Sequence, residues 1–305
     1  MALHRLSSIT LAVPNLTDTR AYYREFGLTE DDGWFSGTQG GRQLHLVPAD
    51  FRRLVEVRIG VDEPDDLGRA RASLDALGIE TTVEEKALTA VDPATGVRAV
   101  LQIEPRLIQP VHPATPYNGP GRNERVAIRA PGILREGPVR PRKLGHVVLG
   151  STDLAATVAF FRDGLGLRPS DYVKDAAAFL RCSTDHHNIL VMKSPIVFPH
   201  HTSWQVEDID EIGRGAQRML KDRPERHIWG LGRHHAGSNF FWYLRDPSGM
   251  FSEYYSDMDH IPDDQPWTPE TIEGARGLFN WGPPPPPSFL QPEDLAAHMT
   301  GAHGG

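Results

Sequence analysis

Histidines are concentrated in one part of this chain. Eight of the 14 histidines lie between His146 and His235, about twice the share that an even distribution would place there. Neutral imidazole is a common ligand for transition metals, and its pKa lies close to physiological pH. Two imidazoles and one carboxylate on one face of a metal ion form the usual site of non-haem iron enzymes that activate O2. This region is therefore the first place to search for a metal site.

The strand pattern around His146 places its side chain in a cavity. Residues 144–150 form a short, β-branched apolar run that is typical of a strand. Because strand side chains alternate, His146 shares one face with Val148 and Gly150, and the larger apolar residues face the other side. A histidine beside a glycine leaves room for a ligand, so His146 is the first candidate metal ligand.

Two adjacent histidines, His200 and His201, offer alternative registers for the next strand. If His201 points inward, Ser203 and Gln205 share its face, and Trp204 faces the helix layer. If His200 points inward, Trp204 lines the cavity and polar side chains meet the helices instead. The first register places polar groups where a metal needs them, so we select His201 and assign no functional role to His200.

Glu253 is the candidate carboxylate ligand. It lies in an aromatic strand, residues 251–255, directly after the turn Asp246-Pro247-Ser248-Gly249. A buried carboxylate requires a positive partner, and a divalent ion supplies one. The expected ligand set is therefore His146, His201 and Glu253.

The chain contains an internal repeat, which indicates how these strands are positioned. Each copy reads as a strand, a helix, several strands, a second helix and a closing strand. In the second copy, Thr152 or Asp153 is expected to cap the first helix, and the second helix follows Asp208-Ile209-Asp210. Segments match in the same order in the two copies: residues 6–11 with 144–149, 21–24 with 159–162, 61–65 with 206–210 and 92–96 with 246–249.

The first copy serves as an internal control for the metal site. Ser8 replaces His146, Glu56 falls opposite His201, and Ala99 or Val100 falls opposite Glu253. The first copy therefore cannot build the same site. If packing alone required these residues, both copies would need them, so the asymmetry favours a functional role.

Composition excludes several classes of protein. The formal net charge of -8 argues against nucleic-acid binding. No apolar run is long enough to span a bilayer and no signal layout is present, so we expect no membrane association. The single Cys182 excludes an intrachain disulfide, which makes the reducing cytoplasm the expected compartment.

Composition also suggests the division of the chain. Residues 107–140 are rich in Pro, Gly and Arg and are expected to link an N-terminal module without a metal site, residues 1–106, to a catalytic module, residues 141–260. Residues 261–305 read as an extended tail held to the body by its tryptophans, with disorder expected after Gly301.

The second copy resembles the type I extradiol ring-cleavage dioxygenases of the vicinal oxygen chelate superfamily. The signature of that group runs Gly-x-His, a short spacer, an aromatic residue, Tyr, two residues, Asp-Pro-x-Gly and Glu. Here it reads Gly232-Arg233-His234, Trp242-Tyr243, Asp246-Pro247-Ser248-Gly249 and Glu253. Trp242 replaces the smaller apolar residue usual in the group, and we expect it to reshape the pocket.

The resemblance implies an α+β fold of tandem βαβββ units that form two barrel-like modules. It also implies Fe(II), with Mn(II) as the alternative, at His146, His201 and Glu253. A catechol and O2 are the implied substrates, with His187 as acid–base catalyst and His234 and Tyr243 as hydrogen-bond partners of the substrate. No organic cofactor is implied, and we expect a homo-oligomer. His186 and His235 are interpreted as structural residues.

Three other functions compete with this interpretation. A glyoxalase-type isomerase or lyase would use Zn(II) or Ni(II) and usually four protein ligands, often with two carboxylates. A 2-oxo acid dioxygenase would share the triad but would not need His187, His234 and Tyr243. A non-catalytic binding protein would not need the triad. The aromatic residues Phe198, Phe240, Trp242 and Phe251 suggest an aromatic pocket, although the sequence does not show that they face inward.

Overall fold

A computed structural model describes residues 2–290, in which the strands form two mixed sheets. The predicted disorder after Gly301 lies outside these residues. Each sheet is built from two consecutive βαβββ units, so the expected α+β architecture is confirmed. In the part of the chain that the structure describes, no helix is long and apolar enough to cross a membrane.

The first sheet has the strand order β2-β3-β4-β1-β5-β8-β7-β6. Its two units are related by antiparallel pairing of β1 with β5, and each unit pairs its first strand with its last in parallel. The elements are β1 Leu3–Val13, α1 Leu16–Phe26, β2 Thr29–Asp31, β3 Trp34–Ser36, β4 Arg42–Pro48, β5 Arg53–Val61, α2 Pro64–Ala76, β6 Thr81–Val83, β7 Ala87–Val91 and β8 Arg98–Ile103.

The second sheet repeats this arrangement, with the order β14-β15-β16-β13-β9-β12-β11-β10-β17. Antiparallel β9 and β13 form its centre, and β17 adds an edge strand from the C-terminal segment. The elements are β9 Leu144–Ser151, α4 Leu154–Ala159 continued by a π-helical turn Phe160–Gly164, β10 Arg168–Val173, β11 Ala177–Arg181, β12 Ile189–Lys193, β13 Phe198–Gln205, α5 Ile209–Leu220, β14 His227–Arg233, β15 Phe240–Arg245, β16 Phe251–Ser256 and β17 Glu270–Ile272.

Asp153, one of the two caps predicted for the first helix of the second copy, is confirmed, and Asp208 caps the second helix. The Asp153 side chain accepts a hydrogen bond from the Ala156 amide, and Asp208 accepts one from the Glu211 amide. Each cap satisfies an otherwise unpaired backbone N–H in the first turn of its helix. The caps therefore fix where α4 and α5 begin over the sheet.

The strand registers make the two copies directly comparable. Thr10 pairs with Glu56 in the first sheet, as Val148 pairs with His201 in the second. Arg58 pairs with Val100, as Ser203 pairs with Glu253. The residue of the first module that is equivalent to Glu253 is therefore Val100 rather than Ala99.

Both sheets also contain the same irregularity in their fifth strand along the chain, β5 and β13, where one residue is left out of the ladder. In the second sheet the unpaired residue is His200, and in the first it is Val55. A β-bulge of this kind inserts one residue and interrupts the alternation of side chains. The strand alternation used to predict the cavity-facing residues therefore fails at His200.

Aromatic residues pack the first module against the second. The rings of Phe26 and Tyr254 are parallel with centroids 3.9 Å apart, and the Tyr254 hydroxyl donates to the Phe26 carbonyl over 2.6 Å. The hydroxyls of Tyr22 and Ser252 are 2.5 Å apart. This contact supports β16, the strand that carries Glu253, from its outer face.

The segments outside the two sheets connect and cover the modules. Between β8 and β9 the chain is mostly irregular apart from the short helix α3, Pro131–Leu134, and Arg135 pairs with Asp208. After β16 the chain follows the surface of the second sheet, where the Trp267 indole donates to the Ser170 carbonyl over 2.7 Å. A short helix α6, Pro287–Leu290, ends the described residues.

The turn before β16 contains a buried carboxylate. Asp246 accepts hydrogen bonds from the amides of Ser248 and Met250 and from the Tyr23 hydroxyl of the first module. Burial raises the pKa of Asp246 to about 6. The folded protein therefore binds a proton here more tightly than the unfolded chain does, and this contribution to stability is lost as the pH rises through about 6.

We expect Asp246→Asn to change how stability depends on pH. The wild type should lose up to about 3 kcal/mol from this group between pH 4 and pH 7, whereas the amide does not titrate. Thermal unfolding of both proteins at pH 4.5 and pH 7 measures the effect. The difference in stability between the wild type and the variant should shrink or reverse at pH 7. Equal changes in the stability of the two proteins between pH 4.5 and pH 7 would contradict the assignment.

Candidate metal centre and substrate cavity

Three buried side chains from the central strands meet at one point of the second module. His146 on β9, His201 on β13 and Glu253 on β16 each place one potential ligand atom within 4.8 Å of the other two. The Nε2 atoms of His146 and His201 are 3.3 Å apart, and Glu253 Oε2 lies 3.2 and 3.6 Å from them, respectively. Adjacent strands therefore bring together all three predicted ligands.

The spacing and environment of these atoms fit a divalent metal ion. Ligand atoms bound at about 2.1 Å lie about 3.0–3.4 Å apart around an octahedral or tetrahedral ion, close to the separations observed. Glu253 is fully buried, and its Oε2 makes no hydrogen bond among the described residues. A carboxylate oxygen without a partner in such a setting is costly unless a cation neutralises it.

The His201 imidazole beside the carboxylate is in the state that metal binding requires. Burial lowers the pKa of His201 well below its usual value, and the neighbouring imidazoles of His200 and His146 lower it further. Neutral imidazole offers a lone pair, whereas imidazolium does not. The site therefore combines the neutral His201 imidazole with a second imidazole, that of His146, and one carboxylate.

His187 lies beside the three potential ligands and belongs to a chain of hydrogen bonds. Its ring is 4.2 Å from the His146 ring, measured between centroids. His187 Nδ1 is 3.1 Å from His186 Nδ1, and His186 Nε2 is 3.0 Å from a carboxylate oxygen of Asp171. Burial lowers the pKa of His187 well below its usual range, with a further contribution from His146. The ring is therefore neutral and can accept a proton.

His234 and Tyr243 occupy the opposite side of the same centre. His234 Nδ1 donates to the Leu278 carbonyl, and its Nε2 lies 2.9 Å from the Tyr243 hydroxyl. Burial and the nearby Glu253 carboxylate raise the pKa of Tyr243 well above its usual value. Asn239 donates to Glu253 Oε1 over 3.2 Å, which orients the carboxylate. Tyr243 therefore keeps its proton and can act as a hydrogen-bond donor.

A cavity of about 380 Å³ opens directly onto this centre. His146, His187, His201, His234 and Tyr243 line its inner end. The remaining wall is mainly apolar and includes Val148, Phe179, Leu190, Met192, Phe198, Leu278 and Phe289. The structure thus places the predicted site residues around one cavity, with Glu253 beside the histidines that line it.

The predicted strand faces are confirmed for His146 and His201. Val148 lines the cavity beside His146, while Val147, Leu149 and Trp204 belong to the hydrophobic core. The interpretation of His200 needs correction: its side chain lines the cavity, and its Nδ1 lies 2.7 Å from Nδ1 of His201. The bulge at His200 breaks the alternation on which the prediction relied.

The predicted aromatic pocket is only partly correct. Of the four aromatic residues named from the sequence, only Phe198 lines the cavity. The Trp242 indole instead donates to His227 Nδ1 on the outer face of the sheet, so Trp242 does not reshape the pocket. Phe179 on β11 and Phe289 on α6 supply aromatic wall that the sequence did not indicate. His235 pairs with Glu270 away from the cavity.

The sequence also missed the residues that support the centre from behind. Asp171, Asn239 and the carbonyls of Leu278 and Phe289 contact site side chains, yet no motif marks them. The one available signal was Pro199, since proline within a strand often marks a bulge. His186 and His200 each precede a site histidine, and both are bonded to it.

Comparison with known proteins gives the family. Residues 143–254 match the model of the glyoxalase/bleomycin resistance protein/dioxygenase superfamily. Metapyrocatechase 2 of Cupriavidus necator is 32% identical over 309 residues, covering 95% of this chain and 92% of that protein. The chain therefore belongs to the extradiol ring-cleavage dioxygenases of this superfamily, which are oxidoreductases.

Two further relatives match a shorter part of the chain. The manganese-dependent 2,3-dihydroxybiphenyl 1,2-dioxygenase of Geobacillus genomosp. 3 is 26% identical, with 48% of this chain and 50% of that protein covered. The iron-dependent extradiol dioxygenase of Rhodococcus jostii is 29% identical, with 40% and 45% covered. Relatives of this chain are thus named for either of two metals.

Solved structures share the fold over nearly the whole chain. The Mn(II)-bound glyoxalase of Novosphingobium aromaticivorans has a TM-score of 0.74 and 25% identity, with 94% of both chains covered. A substrate complex of homoprotocatechuate 2,3-dioxygenase from Brevibacterium fuscum has a TM-score of 0.72 and 20% identity, with 94% and 91% covered. Both two-module arrangements therefore resemble this one, and the latter likeness concerns the fold alone.

The geometry predicts that a divalent metal stabilises the folded protein through these three side chains. Under anaerobic conditions, Mn(II) at 100 times its dissociation constant should stabilise the wild type by about 2.7 kcal/mol. His146→Ala and Glu253→Gln should lose most of this gain, as measured by thermal unfolding. Ser8→Ala changes the equivalent position of the first module and is the matched control. Equal stabilisation of His146→Ala and the control would contradict the assigned ligands.

Proposed function

We propose that this enzyme cleaves a catechol next to its two hydroxyl groups with O2, using a divalent metal held by His146, His201 and Glu253. The observation that carries the proposal is the convergence of three buried ligand atoms on an apolar cavity. Both oxygen atoms would enter the product: one ring C–C bond is broken, one of its two carbons becomes a carboxylate, and the other becomes an aldehyde or ketone at the far end of the opened chain. Membership of the extradiol dioxygenase family supports this reaction.

Fe(II) is the proposed metal, and Mn(II) is the alternative because the same nitrogen and oxygen ligands suit both ions. When bound, such an ion would lower the pKa of a coordinated hydroxyl and supply the one-electron chemistry that O2 requires. The names of an iron-dependent and a manganese-dependent relative support both choices. The protein side chains then have to bind the catechol, exclude water and move its protons.

His187 is the proposed proton acceptor and donor. If His186 is neutral and donates from Nε2 to Asp171, its Nδ1 accepts the Nδ1 hydrogen of His187. That arrangement leaves Nε2 of His187 without hydrogen and free to take a proton from a catechol hydroxyl. His186, held by the Asp171 carboxylate, stabilises the charged ring until the proton is returned during ring opening.

His234 and Tyr243 are the proposed substrate-positioning pair. Because His234 Nδ1 donates to the Leu278 carbonyl, a neutral His234 accepts at Nε2 from the Tyr243 hydroxyl. The phenolic oxygen of Tyr243 then has free lone pairs for a hydroxyl of the bound catechol. His234 and Tyr243 would bind one side of the catechol, and His187 would exchange a proton with the other side.

A non-redox isomerase or lyase is the second candidate, and the similarity to a Mn(II)-bound glyoxalase is the observation that favours it. Enzymes of that type commonly use four protein ligands. Within residues 2–290, the potential ligand cluster contains three residues, with Glu253 as its single carboxylate. A three-ligand face leaves more positions for a catechol and O2, which favours ring cleavage.

Reconstitution separates the two candidates. Metal-free enzyme is loaded anaerobically with Fe(II) or, separately, Mn(II), and a panel of catechols is then added in air. We expect a yellow ring-opened product and uptake of about one O2 per catechol, because both oxygen atoms enter the product. Absence of turnover with every catechol, together with Zn(II)- or Ni(II)-dependent isomerisation of a thiol adduct, would refute the proposal.

Replacement of His187 tests its assigned role. His187→Phe should reduce kcat by about 100- to 10,000-fold, the usual range for loss of a general acid–base group. Anaerobic metal affinity should remain close to that of the wild type, because His187 is not among the proposed ligands. His235→Ala, a change outside the cavity, is the control and should retain its rate. A His187→Phe enzyme with an unchanged kcat would remove His187 from the mechanism.

The cavity wall predicts which ring substituents are accepted. Its apolar side chains should favour an uncharged alkyl or aryl group, since each buried methylene contributes about 0.8 kcal/mol. We expect a higher kcat/KM for 3-alkylcatechols than for catechols that carry a carboxylate at the same position. Lys193 lies at the cavity wall and is solvent-exposed. A preference for the carboxylate that Lys193→Met abolishes would show that this lysine, rather than the apolar wall, selects the substrate.

A further inference from the structure

His200 connects the C-terminal segment to the candidate metal centre. It is buried, and both of its ring nitrogens have hydrogen-bond partners. Nε2 lies within hydrogen-bond distance of the Phe289 carbonyl, and Nδ1 lies 2.7 Å from Nδ1 of His201. The His200 ring thus spans the gap between α6 and the strand that carries a proposed ligand.

These two contacts determine where the hydrogens lie. A carbonyl oxygen can only accept, so His200 must donate from Nε2. A buried imidazolium between these two neutral partners would be costly, so His200 carries one hydrogen, and its Nδ1 accepts. His201 must then donate from Nδ1, which leaves its Nε2 without hydrogen and directed toward His146 and Glu253.

The first module shows that packing does not require a histidine at this position. Val55 occupies the equivalent bulge there, beside Glu56, which pairs with arginines rather than facing a metal site. The same backbone irregularity therefore accepts an apolar side chain. A histidine occurs in the module that has the three-residue cluster, and its ring is bonded to one member of that cluster.

The residue that anchors His200 also closes the substrate cavity. The Phe289 side chain lines the cavity, stacks on Phe251 with centroids 5.9 Å apart and contacts Tyr243 edge to face at 4.8 Å. The Phe289 ring thus forms part of the wall of the proposed substrate cavity, and the Phe289 carbonyl is the hydrogen-bond partner of His200. The position of α6 and the orientation of His201 are therefore linked through the His200 side chain.

We propose that His200 is a positioning residue that holds His201 with Nε2 free for the metal and ties this orientation to the seated C-terminal segment. The proposal rests on the ligand set of the proposed function. The general expectation is that a partner which orients a ligating histidine affects metal affinity by about 10- to 100-fold. His200 would act through His201 and would not touch the substrate's reacting atoms.

Two substitutions separate the hydrogen bonds of His200 from its packing. His200→Phe keeps an aromatic ring among Phe198, Phe251 and Phe289 but leaves the Phe289 carbonyl and His201 Nδ1 without their partner. His200→Gln can donate through its amide nitrogen and accept through its amide oxygen, so it can restore both contacts. His4→Phe, at a buried histidine without a hydrogen bond in the described part of the first module, is the matched control.

Metal affinity without O2 or catechol is the first readout. With Mn(II) or Zn(II) as the probe, His200→Phe should bind about 10- to 100-fold more weakly than the wild type. The metal affinities of His200→Gln and His4→Phe should remain close to that of the wild type. The second readout is the ¹⁵N spectrum of the Zn(II)-loaded protein, in which His201 of the wild type and His200→Gln should carry its hydrogen on Nδ1.

Three results would overturn or reassign the proposal. Wild-type affinity in folded His200→Phe would reduce His200 to a packing residue. Equal losses in His200→Phe and His200→Gln, with His4→Phe unaffected, would show that the hydrogen-bonded bridge is not the cause. Failure of the wild type itself to bind either metal would instead refute the ligand set, so the two proposals fail in distinguishable ways.

Discussion

A carboxylate buried between two buried imidazoles is the constraint on which the rest of this structure depends. Glu253 is fully buried on an aromatic strand, and one of its oxygens has no hydrogen-bond partner among residues 2–290. Asn239 satisfies the other oxygen over 3.2 Å. Because an uncompensated buried charge is costly, a cation at this point would stabilise the arrangement, and the Nε2 atoms of His146 and His201 lie 3.2 and 3.6 Å from the unpartnered oxygen.

The remainder of the second module positions these groups and separates them from water. Two core strands carry the histidines, a parallel neighbour carries the carboxylate, and the first module packs against the outer face of that neighbour. The C-terminal segment supplies carbonyls to His200 and His234 and apolar side chains to the cavity. The two modules share a backbone plan, yet within the described residues only the second brings two histidines and a carboxylate together.

Much of this arrangement could be predicted from the sequence because it follows local rules. Strand alternation was sufficient to place His146 and His201, and the internal repeat was sufficient to predict two similar modules, whereas the βαβββ units followed from the family resemblance. The interpretation of His200 was wrong because a bulge interrupts the alternation there, and a single proline was its only sign.

The residues that line the cavity wall could not be predicted from the sequence, for a different reason. Phe179 and Phe289 come from an edge region of the sheet and from a proline-rich segment, respectively, and neither has a periodicity that fixes its direction. Trp242 and Phe240 lie on β15 of the same sheet as the metal centre but do not line the cavity. Specificity therefore depends on how separate segments pack, whereas the centre depends on register within three neighbouring strands.

The most direct test of the central claim is a crystal structure of the Fe(II)-loaded enzyme with a catechol, prepared without O2, together with an anomalous difference map at the iron edge. The account predicts one strong peak bound by His146 Nε2, His201 Nε2 and a Glu253 oxygen, with the two catechol oxygens on its open face. An iron peak elsewhere, or a catechol bound away from the iron in an otherwise ordered cavity, would contradict it.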